Sequence, residues 1–260
     1  ESEKRASVAD AICRTTGKSV PIVAGLDISM QPIPVYPTPD GAAALKNWKH
    51  SEFTKGNAAE FLYKIIKDNS HEVTLIAIGN MTNIATLFQK YPDASGLLKG
   101  LFVMNGYFGT EKLPDPCWNW NSWADPSASG IVFGAAVALH RVIPLDVTDM
   151  LTIDAQSASK LLPANSLLMR AIFDFGNAWL TNSNKLTLHD PLAAISVFYP
   201  DICKFERGFV KVETKETERM GETRFTPDDN GNAEIARTVD KMYFYRILSE
   251  TLRDVNNGIL

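Results

Sequence analysis

Val73-Thr74-Leu75-Ile76-Ala77-Ile78-Gly79 is the most clearly patterned stretch of the chain. Its residues are apolar on both faces of a strand, which is typical of a central strand in a parallel sheet. A helical pattern follows at once over residues 83–90. This order of strand, turn and helix predicts an α/β protein.

The same alternation of strands and helices continues on both sides of this stretch. Further helices are predicted over about residues 3–16, 58–66, 125–133, 154–161, 166–180, 192–198 and 240–252, and further strands over 20–24, 101–104, 142–145, 209–213 and 233–237. Two long loops are predicted over residues 26–53 and 107–124, and long loops often carry function. We therefore predict a mainly parallel open sheet flanked by helices, in a single domain over residues 1–260. The alternating residues 209–213 are expected to form a half-exposed edge strand.

Composition excludes several classes of protein. The chain has 260 residues, of which 45% are hydrophobic and 22% charged, with a net charge of -4. Nucleic acid is not expected as a partner, because phosphate binding needs a basic face. A membrane span is not expected either, since no apolar run approaches about 18 residues. Cys13, Cys117 and Cys203 form neither a zinc pattern nor a disulfide framework, so we predict a reducing, cytoplasmic location.

Four polar or glycine-containing segments are expected at one edge of the sheet, beyond the carboxyl ends of its strands. In open α/β sheets, ligands bind beyond the carboxyl ends of the strands. The segments are Ile78-Gly79, Met104-Asn105-Gly106, the loop over residues 119–123, and Leu188-His189-Asp190. Their shared placement favours a functional site there.

Leu188-His189-Asp190-Pro191 has two interpretations. In the first, Asp190 caps a helix that Pro191 opens, and His189 is incidental. In the second, His189 and Asp190 point into a shared pocket, where the imidazole donates a proton and the carboxylate binds a metal. The placement beyond the strand ends favours the second.

Trp118-Asn119-Trp120-Asn121-Ser122-Trp123 interleaves tryptophans with amides. The tryptophans are compatible with plain core packing, but buried amides need partners, and a ligand with a flat ring and hydroxyls would supply them. We favour binding, because loops often carry sites. The turn over residues 79–83, with Thr82 as its expected cap, is neither a dinucleotide fingerprint nor a P-loop. The remaining histidines, His50, His71 and His140, are expected at the surface or in the core.

These motifs, in this order, resemble those of the nucleoside hydrolases of the inosine–uridine-preferring type. The matching segments are residues 75–85, Met104-Asn105-Gly106, Asn119-Trp120-Asn121 followed by Asp125-Pro126, Leu145-Asp146-Val147-Thr148, and Leu188-His189-Asp190-Pro191. The likeness spans essentially the whole chain. It implies a nucleoside-hydrolase-like α/β fold and cleavage of the N-glycosidic bond of a ribonucleoside to ribose and free base.

The resemblance also implies roles for particular residues. Asp190 and the backbone carbonyl of Ile78 would bind a calcium ion that holds the attacking water and the ribose hydroxyls. His189 would protonate the leaving base. The expected substrate contacts are Met104 under the sugar, Asn119 and Asn121 on the ribose hydroxyls, and Trp120 along the base.

The chain departs from the family pattern in several places. Asn119, Asn105 and Asn80 replace a Glu, a Gly and a Pro of the family motifs. The Asp-rich loop that supplies most calcium ligands and the general base in the family is absent from the sequence. We therefore expect the domain to be truncated at its N-terminus by a β-α-β unit, with two strand edges unpaired. Calcium takes about six to eight oxygen ligands, so residues 1–260 alone are expected to be inactive.

Three hypotheses remain open at this point. The chain is a nucleoside hydrolase, or a non-catalytic relative that binds a nucleoside or ribose, or an α/β domain used only for assembly. The resemblance further implies a homodimer or homotetramer. The sequence does not decide between purine and pyrimidine nucleosides.

Overall fold

The computed structural model describes residues 1–31, 40–109, 119–161, 166–183 and 185–256. The α-helices of this part are α1 Ser2–Thr15, α2 Ala58–Asp68, α3 Thr82–Lys90, α4 Trp120–Trp123, α5 Pro126–Phe133, α6 Leu145–Thr148, α7 Ala155–Leu161, α8 Leu167–Ser183, α9 His189–Phe198 and α10 Lys241–Asn256, and its 3-10 helices are Asp40–Asn47, Asp149–Leu151 and Pro200–Ile202. Its strands are β1 Thr74–Ala77, β2 Gly100–Met104, β3 His140–Ile143, β4 Thr152–Asp154, β5 Lys185–Thr187, β6 Cys203–Val212, β7 Thr223–Pro227 and β8 Ala233–Val239. Trp118, Cys117 and the prolines of the first long loop lie outside the described residues. No helix of the described part is long and apolar enough to cross a membrane.

Six strands form the main sheet, in the order β1-β2-β3-β8-β6-β7. The first four of these strands run parallel, whereas β6 is antiparallel to both β8 and β7. The parallel register pairs Leu75 with Leu101, and Val103 with Val142. The predicted α/β class and the mainly parallel sheet are therefore confirmed.

Side chains that alternate along the parallel strands build a core on each face of the sheet. Leu101, Val103 and Val142 pack with α2, α3 and α5 on one face. Met104 and Ile143, one position further along, pack with α6, α9 and α10 on the other face. The second face thus brings the start of α9 close to the carboxyl end of β2.

The prediction that residues 73–79 form a central strand is wrong. Among the described residues, β1 lies at the end of the sheet and pairs only with β2. Ile76 is 36% exposed and Ile78 45% exposed on this strand and just beyond it. An apolar run predicts that a strand forms, but the position of that strand in the sheet depends on residues far along the chain.

The predicted strand over residues 20–24 is also wrong. This segment forms one bridge, between Ala24 and Lys55, and Val20 is half-exposed. No strand among the described residues lies beside residues 20–24, so the backbone groups have no ladder to join. Strand propensity alone does not fix an extended segment that lacks a paired neighbour.

The predicted half-exposed edge strand over residues 209–213 forms the end of β6, where residues 209–212 pair with β7 alone, because β8 pairs only with residues 203–208 of this strand. Two other predictions need correction in the second half of the chain. Lys185 to Thr187, for which no strand is predicted, forms β5, which pairs with β4. Leu145, expected in a strand, begins α6. Strands β4 and β5 have three residues each, too few to give a clear periodic pattern.

Candidate functional site

Asn121 joins the carboxyl ends of β1 and β2. Its Nδ2 donates to the carbonyl oxygen of Met104 at 2.9 Å, and lies 3.4 Å from the carbonyl oxygen of Ile78. The Met104 sulfur lies 3.6 Å from the same nitrogen. The structure therefore brings Ile78, Met104 and Asn121 together, as the sequence predicts for one site.

Asn119 lies at the start of α4 and stabilises that helix. Its Oδ1 accepts a hydrogen bond from the backbone N–H of Ser122 at 3.1 Å, and the residue is 4% exposed. A capping amide oxygen of this kind satisfies a backbone donor that has no partner within the helix. The expected contact between Asn119 and a ribose hydroxyl stays a prediction. Because the amide oxygen caps the helix, the amide nitrogen is the group that would make this contact.

A cleft of about 510 Å³ opens beyond the carboxyl end of β1. One wall is formed by Ile78, Asn83, Trp120 and Asn121, and the other by the start of α1 and residues 22–27. Trp120 is 46% exposed, and its ring centroid lies 5.4 Å from that of Trp123. The cleft thus combines an exposed indole with polar groups, as a ligand with a flat ring and hydroxyls requires.

Asp125 joins the loop that contains Met30 to the first turns of α3 and α5. The carboxylate is fully buried and accepts hydrogen bonds from the backbone N–H of Met30 at 2.7 Å, the hydroxyl of Thr82 at 2.6 Å and the backbone N–H of Ala128 at 3.1 Å. The cap of α5 was predicted, but the two long-range bonds were not. Thr82 is not the cap of α3, which is Met81.

Asp190 does not cap a helix. Helix α9 begins at His189 after Leu188, with no side-chain cap, so Asp190 lies inside the first turn. In the described residues its half-buried carboxylate has no hydrogen-bond or ion-pair partner, and burial raises its pKa to about 6. The simple capping interpretation is therefore wrong, and Asp190 keeps a carboxylate available for another role.

His189 is held by a threonine that the sequence analysis did not single out. The Nδ1 of His189 lies 2.8 Å from the Oγ1 of Thr148, which is fully buried at the end of α6. Burial lowers the pKa of His189. The only signal for Thr148 in the sequence is its place in the Leu145-Asp146-Val147-Thr148 motif.

The His189-Asp190 pair lies near Met104 but is not part of the cleft lining. Leu188 and Leu192, on either side of the pair, pack in the same core as Met104. Among the described residues that line the cleft beside β1, neither His189 nor Asp190 is included. The structure therefore forms two polar groups, one in the cleft and one at the start of α9, and Met104 packs in the same core as the leucines beside the second group.

The described residues do not by themselves fit a calcium ion. They contain no group of three or more His, Cys, Asp or Glu side chains able to hold a metal. The two expected ligands are the Asp190 carboxylate and the Ile78 carbonyl, and the latter lies within 3.4 Å of the Asn121 amide nitrogen. Calcium requires about six to eight oxygens, so this set is incomplete.

Comparison with solved structures defines the fold. The chain superimposes on a plant nucleoside hydrolase, the PpNRh1 enzyme, with a TM-score of 0.81 at 19% identity, covering 96% of this chain and 86% of that one. It matches a purine-preferring ribonucleoside hydrolase from Gardnerella vaginalis with a TM-score of 0.80 at 20% identity, covering 99% and 87%. The fold is that of the nucleoside hydrolases.

The sequence identifies the family within that fold. The family model for inosine-uridine preferring nucleoside hydrolases matches residues 1–246. The chain belongs to this family.

The curated relatives match part of the chain and are longer than it. Uridine nucleosidase 1 of Arabidopsis thaliana is 27% identical over 165 residues, which cover 61% of this chain and 49% of the relative. The pyrimidine-specific ribonucleoside hydrolase RihA of Salmonella agona (strain SL483) is 26% identical over 209 residues, covering 76% and 67%. The chain spans about half the length of the plant relatives it matches.

Proposed function

We propose that the protein is an N-ribohydrolase that cleaves the N-glycosidic bond of ribonucleosides. Water adds to C1′ of the ribose, the bond from C1′ to the base nitrogen breaks, and the products are ribose and free base. Membership of the nucleoside hydrolase family supports this reaction, as do the names of relatives called uridine nucleosidase and ribonucleoside hydrolase.

One observation carries the proposal beyond family membership. At the start of α9, His189 is anchored through one ring nitrogen, and the adjacent Asp190 carboxylate is half-buried without a partner in the described residues. A positioned imidazole beside an uncompensated carboxylate suits departure of a nitrogen base from a sugar that becomes positively charged. A purely structural Asp at a helix start would instead bond to backbone N–H groups.

His189 has the role of proton donor to the leaving base in this proposal. The proton passes from the protonated ring, the imidazolium, to the base nitrogen that leaves C1′, and the neutral imidazole then regains a proton from solvent. The proton that the attacking water loses also goes to solvent. General acid help of this kind contributes about 10²–10⁴-fold in rate.

The substrate contacts proposed from the family pattern have different degrees of structural support. Asn121 Oδ1 makes no hydrogen bond with other described residues, so this acceptor is free for a ribose hydroxyl. Trp120 presents a half-exposed indole for the base, and Met104 is proposed to lie under the sugar. Asn119 is proposed as a further ribose contact through its amide nitrogen.

Calcium is part of the family expectation, with Asp190 and the carbonyl of Ile78 as the expected ligands. Because the described residues do not complete such a site, no step of the mechanism is assigned to a metal. The cytoplasmic location, the role in nucleoside salvage and assembly into a homodimer or homotetramer also stay predictions.

The proposal is tested by product analysis on protein expressed from the complete natural reading frame. Inosine and uridine are incubated with it, and free base and reducing sugar are quantified. We expect equimolar base and ribose from at least one of them. Binding without release of base would indicate a non-catalytic nucleoside-binding relative, and neither binding nor release would favour a domain used only for assembly.

A further inference from the structure

Two chain segments hold His189 against Thr148. The first is α6 with the residues after it, and the second is β5 with the start of α9. The backbone N–H of Leu188 donates to the carbonyl of Leu151 at 3.3 Å. The hydroxyls of Thr152 and Thr187 lie 2.7 Å apart across the paired strands β4 and β5. The bond from Thr148 to His189 therefore lies within a fixed framework.

The buried hydroxyl of Thr148 determines the direction of that bond. Thr148 is fully buried, and among the described residues its Oγ1 has one side-chain partner, the Nδ1 of His189. A buried hydroxyl hydrogen needs an acceptor. If Nδ1 carried the hydrogen and donated to Oγ1, the hydroxyl hydrogen of Thr148 would be buried with no acceptor, which is unfavourable. This cost favours Nδ1 as the acceptor and Thr148 as the donor.

The other ring nitrogen of His189 is available to a ligand. Nε2 has no hydrogen-bond partner in the described part of the chain. It is also not among the buried unpartnered atoms there, which include Asn105 Oδ1 and both ring nitrogens of His140. A neutral imidazole whose Nδ1 accepts a hydrogen bond carries its hydrogen on Nε2.

We propose that Thr148 is a positioning residue that donates to Nδ1 of His189 and so keeps the ring hydrogen on Nε2, the nitrogen that is open to substrate. The catalytic consequence rests on the proposed function. With Nε2 kept as a donor even in the neutral ring, His189 is oriented to hydrogen-bond the leaving base, to which its imidazolium form then gives up the Nε2 proton. Without the Thr148 hydroxyl, the ring is free to rotate and to exchange tautomers.

The tautomer is measured directly by nitrogen NMR on protein with 15N-labelled histidine. Spectra are recorded at about pH 8.5, above the ordinary imidazole pKa of about 6.5. The chain has 4 histidines, and His189→Gln assigns the signal. We expect an unprotonated Nδ1 and a protonated Nε2 in the native protein and in Thr148→Ser. Thr148→Val should give a mixture of the two neutral tautomers of His189, or mainly the tautomer with the hydrogen on Nδ1.

A matched substitution controls for the loss of a threonine hydroxyl in general. Thr86 donates its hydroxyl to the carbonyl of Thr82 at 2.8 Å within α3, away from His189. Thr86→Val should leave the His189 signal unchanged. A native spectrum with a protonated Nδ1 would overturn the proposal. An unchanged tautomer in folded Thr148→Val would equally overturn it. The native spectrum is decisive even if Thr148→Val does not fold.

Kinetics then test the consequence for the reaction. In Thr148→Val, kcat for natural ribonucleosides should fall about tenfold to a hundredfold, the loss expected for one such hydrogen bond. KM should change little, and kcat of this variant for a nitrophenyl riboside should stay close to the native value. Thr148→Ser should recover most of the native kcat for natural ribonucleosides. Equal losses on both substrate types would contradict a role through His189. If the native protein cleaves no nucleoside, the proposed function fails, while the NMR result still decides the tautomer.

Discussion

The amide nitrogen of Asn121 lies 2.9 Å from the carbonyl oxygen of Met104 and 3.4 Å from that of Ile78. One side chain thus connects the ends of two neighbouring parallel strands at the edge of the sheet where ligands of open α/β folds bind. The same amide leaves its oxygen free in the described part of the chain. Asn121 therefore combines a structural bond with an acceptor that is open to a substrate.

Replacing Asn121 should affect both binding and stability. We expect Asn121→Ala to raise KM for ribonucleosides, because a ribose hydroxyl loses an acceptor worth about 1–3 kcal/mol in a buried site. Loss of the bond to Met104 should cost only about 0.5–1.5 kcal/mol in the free energy of unfolding. Steady-state kinetics and urea denaturation measure the two effects.

A capping amide that does not line the cleft serves as the control. Asn57 caps α2 by accepting from the backbone N–H of Glu60 at 3.1 Å. Asn57→Ala should cost about 1 kcal/mol of stability and leave KM unchanged. A large loss of stability with unaltered kinetics in Asn121→Ala would contradict the binding role.

His140 should make the protein less stable in mild acid. This histidine is 2% exposed at the start of β3, and neither ring nitrogen has a partner among the described residues. Burial lowers its pKa to about 4 in the folded protein, against about 6.5 in an unfolded chain. Between these values the unfolded state binds more protons, so stability falls as pH drops from about 6.5 to about 4, by roughly 3 kcal/mol.

The contribution of His140 is isolated by substitution. His140→Phe should remove this part of the pH dependence, because a phenyl ring does not titrate and the site already stacks on Phe133, with centroids 6.5 Å apart. Urea denaturation at about pH 7 and about pH 4.5 measures it. His71→Asn, at an exposed position with φ of 62° that Asn tolerates, is the control. A native pH dependence retained in His140→Phe would refute the assignment.

Residues 1–260 should not bind calcium with micromolar affinity. Two expected ligands, Asp190 and the Ile78 carbonyl, fall far short of the about six to eight oxygens that calcium requires. Isothermal titration calorimetry of calcium into the 260-residue chain measures this, with Asp190→Asn beside it. Micromolar binding that Asp190→Asn abolishes would contradict the prediction and place a complete site within this sequence.

Local patterns in the sequence predict much of this fold because they depend on neighbouring residues. Apolar runs and helical periodicity locate β1, α3 and β2, and Asp125-Pro126 correctly predicts the cap and start of α5. The convergence of Ile78, Met104 and Asn121 follows from parallel strands, whose carboxyl ends meet at one edge.

Features that depend on distant partners were not predictable in this way. The edge position of β1 depends on which strands pair with it, and no local pattern encodes that. The bond from Thr148 to His189 joins residues 41 positions apart, and that from Thr82 to Asp125 joins residues 43 apart. A single threonine in an apolar motif gives no sign of its partner before the chain is folded.

The comparison of leaving groups in His189→Ala tests the central claim most directly. Natural ribonucleosides and a nitrophenyl riboside are compared as substrates of native and variant protein from the complete reading frame. If His189 protonates the leaving base, the variant should lose about 10²–10⁴-fold on natural nucleosides. It should retain nearly full activity on the nitrophenyl riboside, whose leaving group needs no protonation. Equal losses on both substrates, or none on either, would contradict the account.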